Sequence, residues 1–195
     1  MMEKNQIFEN IMSRTSVRSY TEKPVEPEKV EMMLRAGMAA PSACNKQPWH
    51  FVVINDREIL DQIPLFSPYS GMVKQAPLAI VVCGCMDKTL EGIEQEFWIQ
   101  DCSAATENIL LMAHGLGLGC VWTALYPLKE RYEGMQQLLH LPKTMIPLNT
   151  LIIGYPKNQV TAKDKWKEEN ISYNKLDGEK FIIQEKEEEI GKEEK

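Results

Sequence analysis

Phe97–Ala124 reads FWIQDCSAATENILLMAHGLGLGCVWTA: a long helical pattern, a glycine break and a short β-rich run. Ile99, Cys102, Ala105, Ile109, Met112, Ala113 and Leu116 recur at helical spacing among further apolar residues, so the pattern predicts a buried central helix over about 97–115. Gly115, Gly117 and Gly119 end it, because glycine accepts the backbone turn that closes a helix. Cys120-Val121-Trp122-Thr123-Ala124 then reads as a strand.

Other elements extend outward from this core. Trp49 to Ile54, Leu78 to Cys83 and Thr150 to Pro156 read as strands, rich in β-branched residues and bounded by turn signals. Ile7, Phe8, Ile11 and Met12 predict a first helix ending near Ser13-Arg14. Pro24 to Glu28 opens a second, whose buried face carries Val30, Met33, Leu34 and Met38 and which Pro41 stops. Asp56 to Ile63 is expected to be a short helix and Phe66 to Ala76 a mixed loop and helical segment, both as surface connectors; Lys129 to Leu139 is a further helix. Strands separated by helices give an α+β or α/β layer without fixing strand order.

The chain has 195 residues, 44% of them hydrophobic, enough for one domain with a substantial core. Its net charge of −6 disfavours non-specific binding to nucleic acid or anionic membrane, which needs an extended basic surface. The start of the chain has no signal-peptide pattern and no apolar run reaches membrane-spanning length, so a cytoplasmic protein is expected. The five cysteines, Cys44, Cys83, Cys85, Cys102 and Cys120, suggest no disulfide framework and fit a reducing compartment. Cys83 and Cys85 fall on one face of a strand and read as buried hydrophobes, and no cluster has zinc-like spacing. From about Gln184 to Lys195 the chain is Glu- and Lys-rich, and a solvated helix or disordered tail is expected there.

Three segments carry chemistry. Arg14, Ser16 and Arg18 alternate, so in an extended segment they converge on one side, and guanidinium and hydroxyl groups suit a phosphate. The other reading is an ordinary solvated loop. Pro41 to Trp49 offers small Ser42 and Ala43 beside Asn45 and Gln47, whose carboxamides can match the alternating acceptors and donor of a flat heterocycle; a simple polar turn is the alternative. Lys163-Asp164-Lys165-Trp166-Lys167 is a second cationic cluster, either solvated or a partner of the first. His50, His114 and His140 show no triad or metal spacing, and Cys44 has no base beside it.

These segments, with Ala76 to Val82, Asp101 to Trp122 and Ile153-Gly154-Tyr155-Pro156, resemble in order the FMN-dependent nitroreductase family, from about Ile7 to Trp166. The resemblance implies an α+β fold with a mainly antiparallel sheet flanked by helices, in an intertwined homodimer with FMN at the interface. It implies that Arg14 and Ser16, with Lys163 and Lys165, hold the phosphate, that Thr15 between them belongs to the cofactor-binding set, and that Arg18 lies near the flavin pyrimidine edge. Pro41, Ser42, Ala43 and Asn45, supported by Gln47, would reach the FMN of the opposite subunit. Val121, Trp122, Thr123 and Ala124 would lie behind the ring, with the Ala124 amide facing N5. Thr15 replaces an arginine or histidine of many relatives, and Ser67 to Lys74 lacks the asparagine and lysine pattern of some, leaving contacts from Tyr69 or Lys74 open.

The implied activity is an NAD(P)H oxidoreductase in which NADH or NADPH delivers hydride to flavin N5, leaves, and is replaced by a nitroaromatic, quinone or related acceptor. Such a ping-pong scheme needs no catalytic side chain. Tyr69, Phe97, Trp98 and Tyr126 are candidate pocket walls or, equally, core aromatics. The alternatives are a specialised flavin enzyme of the same superfamily, dehalogenase-like or flavin-destructase-like, and a thiol redox or structural binding protein using Cys83 and Cys85. Residues 1–167 are expected to form one FMN-binding domain and 168–195 a polar extension with a partly disordered acidic tail.

Overall fold

A computed structural model describes residues 5–178 and Lys180. The chain divides into two compact units, Met1–Ala162 and Lys163–Lys195. The Gln184 to Lys195 tail lies outside the described residues.

Among its described residues the first unit holds five α-helices and four strands: α1 Gln6–Ser13, α2 Pro27–Met38, β1 Trp49–Ile54, α3 Arg57–Gln62, β2 Leu78–Cys85, α4 Phe97–Gly115, β3 Gly119–Ala124, α5 Lys129–Leu138 and β4 Met145–Gly154. The sheet has the order β1-β2-β4-β3 and every pair is antiparallel. β1 and β3 are therefore its edges.

Both sheet faces are covered, which explains why β2 is buried at every position. On one face Trp49, Ile80, Val82, Leu151 and Ile153 meet Met33 of α2 and Cys102, Ala105, Ile109 and Ala113 of α4, as the helical stripe predicts. On the other, Ile54, Val81, Cys83, Val121 and Ile152 meet Val17, Tyr20, Leu60, Ile63, Val73, Leu125 and Met135.

The segment before β2 corrects the expectation of surface connectors. It winds as 3-10 turns over Ile63–Leu65 and Pro68–Gln75, and Ser67, Ser70, Val73 and Ala76 are all buried. A 3-10 helix eclipses residues three apart, so these four residues share one inward line.

β4 also differs from expectation, starting at Met145 rather than Thr150. Pro147 lies in this inner strand, and the β2–β4 register shifts between Val82 and Cys83 so that Cys83 opposes Pro147 while Val82 opposes Asn149. The bulge accommodates a residue without an N–H to donate. Its extra residue, Leu148, accepts from both Leu125 and Tyr126 main-chain N–H at 3.0 and 3.1 Å.

α4 ends as its glycines predict. Gly117 has φ of +75°, and the Gly117 and Leu118 N–H groups donate to His114 O and Ala113 O at 2.9 Å each, satisfying carbonyls left over at the helix end. This turn sends the chain into β3. At the same end of the sheet, Tyr155 fastens β4 to the start of α2: its hydroxyl donates to Glu26 Oε2 at 2.6 Å and accepts from Lys29 Nζ at 2.7 Å. The Tyr155 hydrogen bond, with the Glu26 backbone and Lys23, holds the Glu26 carboxyl down at about 2.

The second unit contains, among its described residues, one 3-10 turn at Glu168–Asn170. Lys163 and Lys165 belong to it and are exposed.

Candidate functional site

The Arg14 to Arg18 segment lies along the free edge of β3. Ser16 forms a parallel bridge with Cys120, and Val17 N–H donates to Cys120 O at 3.1 Å. A strand's main-chain groups alternate in direction, so if Cys120 faces this segment, Trp122 and Ala124 also face away from β4. The segment does not follow them. It turns across the second sheet face, where Tyr20 bridges to Pro156 and Thr21 N–H donates to Tyr155 O at 2.9 Å.

The result is a short stretch of strand edge, Trp122 to Ala124, without an outward main-chain partner among the described residues, beginning where the cationic segment departs. Cys120 to Ala124 spans about 13 Å at the usual strand rise. Tyr20 holds the turn in place, since its buried hydroxyl sits 2.5 Å from Val17 O and 2.9 Å from Ile152 O. Burial raises the Tyr20 pKa, so the group stays a neutral donor.

Within the segment, Arg14 is mostly covered, at 19% side-chain exposure, and its Nε lies 3.5 Å from Glu107 Oε1 of α4. The carboxylate approaches the inner nitrogen and helps to orient the guanidinium fork. Thr15 and Val17 line a cavity of about 780 Å³ with Met12, His114 and Pro156, so alternation turns Arg14, Ser16 and Arg18 to the opposite side. Arg18 is exposed. His114 accepts from or donates to Ser13 Oγ at 2.8 Å, and burial with Arg14 nearby lowers its pKa.

The Pro41 to Gln47 loop is placed elsewhere. It leads into β1, the sheet edge opposite β3, and no hydrogen bond or ion pair among the described residues joins it to Arg14–Arg18. Its backbone is unusual: Cys44, Asn45 and Gln47 have φ of 49°, 54° and 49°, a left-handed region that costs non-glycine residues energy and needs support from around it. Ser42 Oγ accepts from Gln47 N–H at 2.9 Å, and Asp101 Oδ1 accepts from Ala43 N–H at 2.9 Å. Asn45 and Gln47 are left exposed.

This architecture is shared with known proteins. The family described as Nitroreductase matches residues 11–66 and 67–155. The chain belongs to the nitroreductase family. A protein of Methanothermobacter thermautotrophicus with the provisional name NADH dehydrogenase/NAD(P)H nitroreductase is 44% identical over 172 residues, 88% of each chain. A crystal structure from Parabacteroides distasonis with the same provisional name superposes with a TM-score of 0.84 at 43% identity, covering 88% of this chain and 99% of that one. An FMN-dependent nitroreductase from Clostridium difficile gives a TM-score of 0.78 at 27% identity, covering 85% and 98%.

In this nitroreductase, the donor set around the β3 edge fits a flavin mononucleotide. Arginine and serine at one end suit a phosphate, and outward N–H groups at the other suit ring acceptors without adding charge. Val121 and Thr123 face inward, Thr123 Oγ1 donating to Thr150 O at 3.0 Å, so they contribute backbone shape rather than side-chain contacts.

Of the candidate wall aromatics, Trp98 is a core residue at 4% exposure, stacked edge-on to Tyr126 at 5.0 Å. Tyr69 and Phe97 are exposed at 74% and 40%. Cys83 and Cys85 are buried, and burial raises both thiol pKa values, which disfavours the thiolate. Sequence reasoning missed Asp101, although a carboxylate amid an apolar helical stripe is itself a signal, since buried acids need partners. It also missed Arg131, whose surroundings in sequence are an ordinary polar helix.

Proposed function

We propose that this nitroreductase is an FMN-dependent NAD(P)H oxidoreductase that passes electrons from NADH or NADPH to nitroaromatic, quinone or related electron-poor acceptors by a ping-pong mechanism. The observation that carries this reading is the outward main-chain edge of β3 at Trp122–Ala124, continuous with the Arg14–Ser16 segment. Bound FMN would supply the two-electron chemistry, accepting hydride from the nicotinamide and passing electrons to an acceptor at the same face.

The chain's own residues bind and tune. Arg14 and Ser16 would anchor the phosphate, with Thr15 in the same segment. The Ala124 N–H, outward from β4, would donate to the ring. Arg18, permanently cationic, stabilises negative charge at the pyrimidine end. Arg18→Ala is expected to lower the flavin midpoint potential by roughly 20 to 40 mV, equivalent to about 1 to 2 kcal/mol for a two-electron couple. An unchanged potential in the FMN-loaded variant would remove Arg18 from this role.

A homodimer accords with two features. The Pro41–Gln47 loop sits at the sheet edge away from its own chain's Arg14 segment, so Pro41, Ser42, Ala43, Asn45 and Gln47 would contribute to the partner's site. α1 has no buried residue and exposes Ile7, Phe8, Ile11 and Met12, an apolar face for a second copy to cover. Five cysteines without a bridge among them accord with a cytoplasmic location; no described helix is long and apolar enough to cross a membrane.

The test is the absorbance spectrum of the purified protein followed by anaerobic titration with NADH and NADPH. A bound flavin bleached by either donor is expected. A protein that stays colourless after incubation with FMN would overturn the reading.

A further inference from the structure

Arg131, half-buried in the first turn of α5, follows the β3 edge in the chain, and three contacts fix where it sits. Its main-chain N–H donates to Leu128 O at 2.9 Å in the first turn of α5. Its NH1 group donates to Ala124 O at 3.3 Å. Its guanidinium carbon lies 5.3 Å from the ring centre of Tyr69, itself 74% exposed.

Other cations on helices pair with a carboxylate one turn away, as Arg35 does with Glu31, Arg57 with Asp61 and Lys129 with Glu133. Arg131 has Met135 one turn ahead and Pro127 one turn behind, and among the described residues no carboxylate lies within ion-pair distance of it. One hydrogen bond to Ala124 leaves most of its five N–H donors free. A single uncompensated positive charge therefore stands beside an exposed aromatic ring, at the end of β3 where the Ala124 main chain faces outward.

A guanidinium anchored through NH1 keeps its Nε and NH2 side available for two parallel hydrogen bonds to a carboxylate, and the neighbouring Tyr69 ring offers a surface for a planar body. The lone charge suits a monoanion better than a diphosphate, because the adjacent Lys129 is already paired with Glu133. Resting on the flavin-oxidoreductase reading above, we propose that Arg131 and Tyr69 are specificity residues that select an aromatic electron acceptor carrying a carboxylate.

Equilibrium binding tests this without turnover. FMN-loaded protein is titrated with 4-methylbenzoate and with its neutral isostere 4-methylbenzamide, following the flavin difference spectrum. The wild type is expected to bind the carboxylate at least about tenfold more tightly, a preference worth roughly 1.4 kcal/mol. Arg131→Gln is expected to bring the two dissociation constants together, and Arg131→Lys to keep part of the preference, since it retains charge without the planar fork. In turnover, the kcat/KM ratio of 4-nitrobenzoate to 4-nitrobenzamide is expected to fall by a similar factor in Arg131→Gln.

Equal binding of acid and amide by the wild type, or a preference unchanged in Arg131→Gln, would overturn the proposal. So would a loss confined to bleaching by NADPH or NADH, which would assign the charge to the donor's phosphates. Failure of this inference is separable from failure of the function. A protein that takes up FMN and is bleached by a nicotinamide, yet binds acid and amide alike, loses only the acceptor assignment; one that takes up no FMN loses both.

Discussion

Arg14→Ala is expected to weaken FMN binding by roughly ten- to a hundredfold while leaving the protein folded. A hydrogen bond from an ionised donor contributes about 1.5 to 3 kcal/mol, and about 1.4 kcal/mol corresponds to a factor of ten in affinity. Arg14 has the geometry to reach that range because its side chain is largely covered and oriented before any ligand arrives. Glu107 approaches Nε, at 3.5 Å. The stability cost is small by comparison, since an ion pair with a half-exposed carboxylate contributes at most about 1 kcal/mol. Titrating flavin-free protein with FMN at fixed ionic strength, alongside thermal melts, separates the two. Arg14→Lys is expected to recover only part of the affinity, because an ammonium cannot form the parallel bonds of the guanidinium fork. An alanine variant that binds FMN as tightly as the wild type would show that the phosphate lies elsewhere.

Much of this site can be read in the sequence because its residues use the two periods that sequence patterns express. The alternation of Arg14, Ser16 and Arg18 is that of an extended chain, and the structure finds it extended beside β3. The stripe from Cys102 to Ala113 is that of a helix, and those residues pack on the sheet. What the patterns missed follows other geometry. Ser67, Ser70, Val73 and Ala76 repeat every three residues, a 3-10 period that resembles neither alternation nor an α-helical stripe, and two of the four are polar. The first half of β4 contains Pro147 and Asn149, both poor strand residues, and is accommodated by a bulge against β2 that only the pairing reveals.

Tertiary contacts account for the remainder. Asp101 supports the Pro41 loop from 58 residues away and Arg131 contacts Tyr69 across two strands and a helix, so no local pattern links either pair. The left-handed backbone at Cys44, Asn45 and Gln47 is likewise invisible in side chains that do not announce it. Strain of this kind persists where the surroundings hold it, and here Asp101 and Ser42 do so.

Gly119→Ala is expected to damage stability and cofactor binding together, and so to test whether the position of the cationic segment is set by its contact with β3. A Cβ on Gly119 would lie 2.7 Å from both Cβ and Cγ1 of Val17 and 2.9 Å from Cγ2. Rotation cannot clear these contacts, because the β-branched side chain has few rotamers and its own Cβ is among the atoms struck. Nor can the segment slide freely, with Val17 N–H bonded to Cys120 and the Tyr20 hydroxyl against Val17 O. It must lift from the strand, carrying Arg14 and Ser16 with it. Overpacking of this kind costs about 1 to 3 kcal/mol, a drop in Tm of roughly 3 to 10 °C for a domain of this size, and FMN affinity is expected to fall several-fold in addition. Gly71→Ala is the control, since nothing lies within 4 Å of the added methyl. Adding Val17→Ala to Gly119→Ala removes the struck atoms beyond Cβ and is expected to restore part of both properties, so that the paired substitutions are less harmful than their separate effects combined. A lower Tm with unchanged FMN affinity in Gly119→Ala would mean that Arg14 and Ser16 keep their place when β3 and Val17 are forced apart, and that something other than this edge contact positions them.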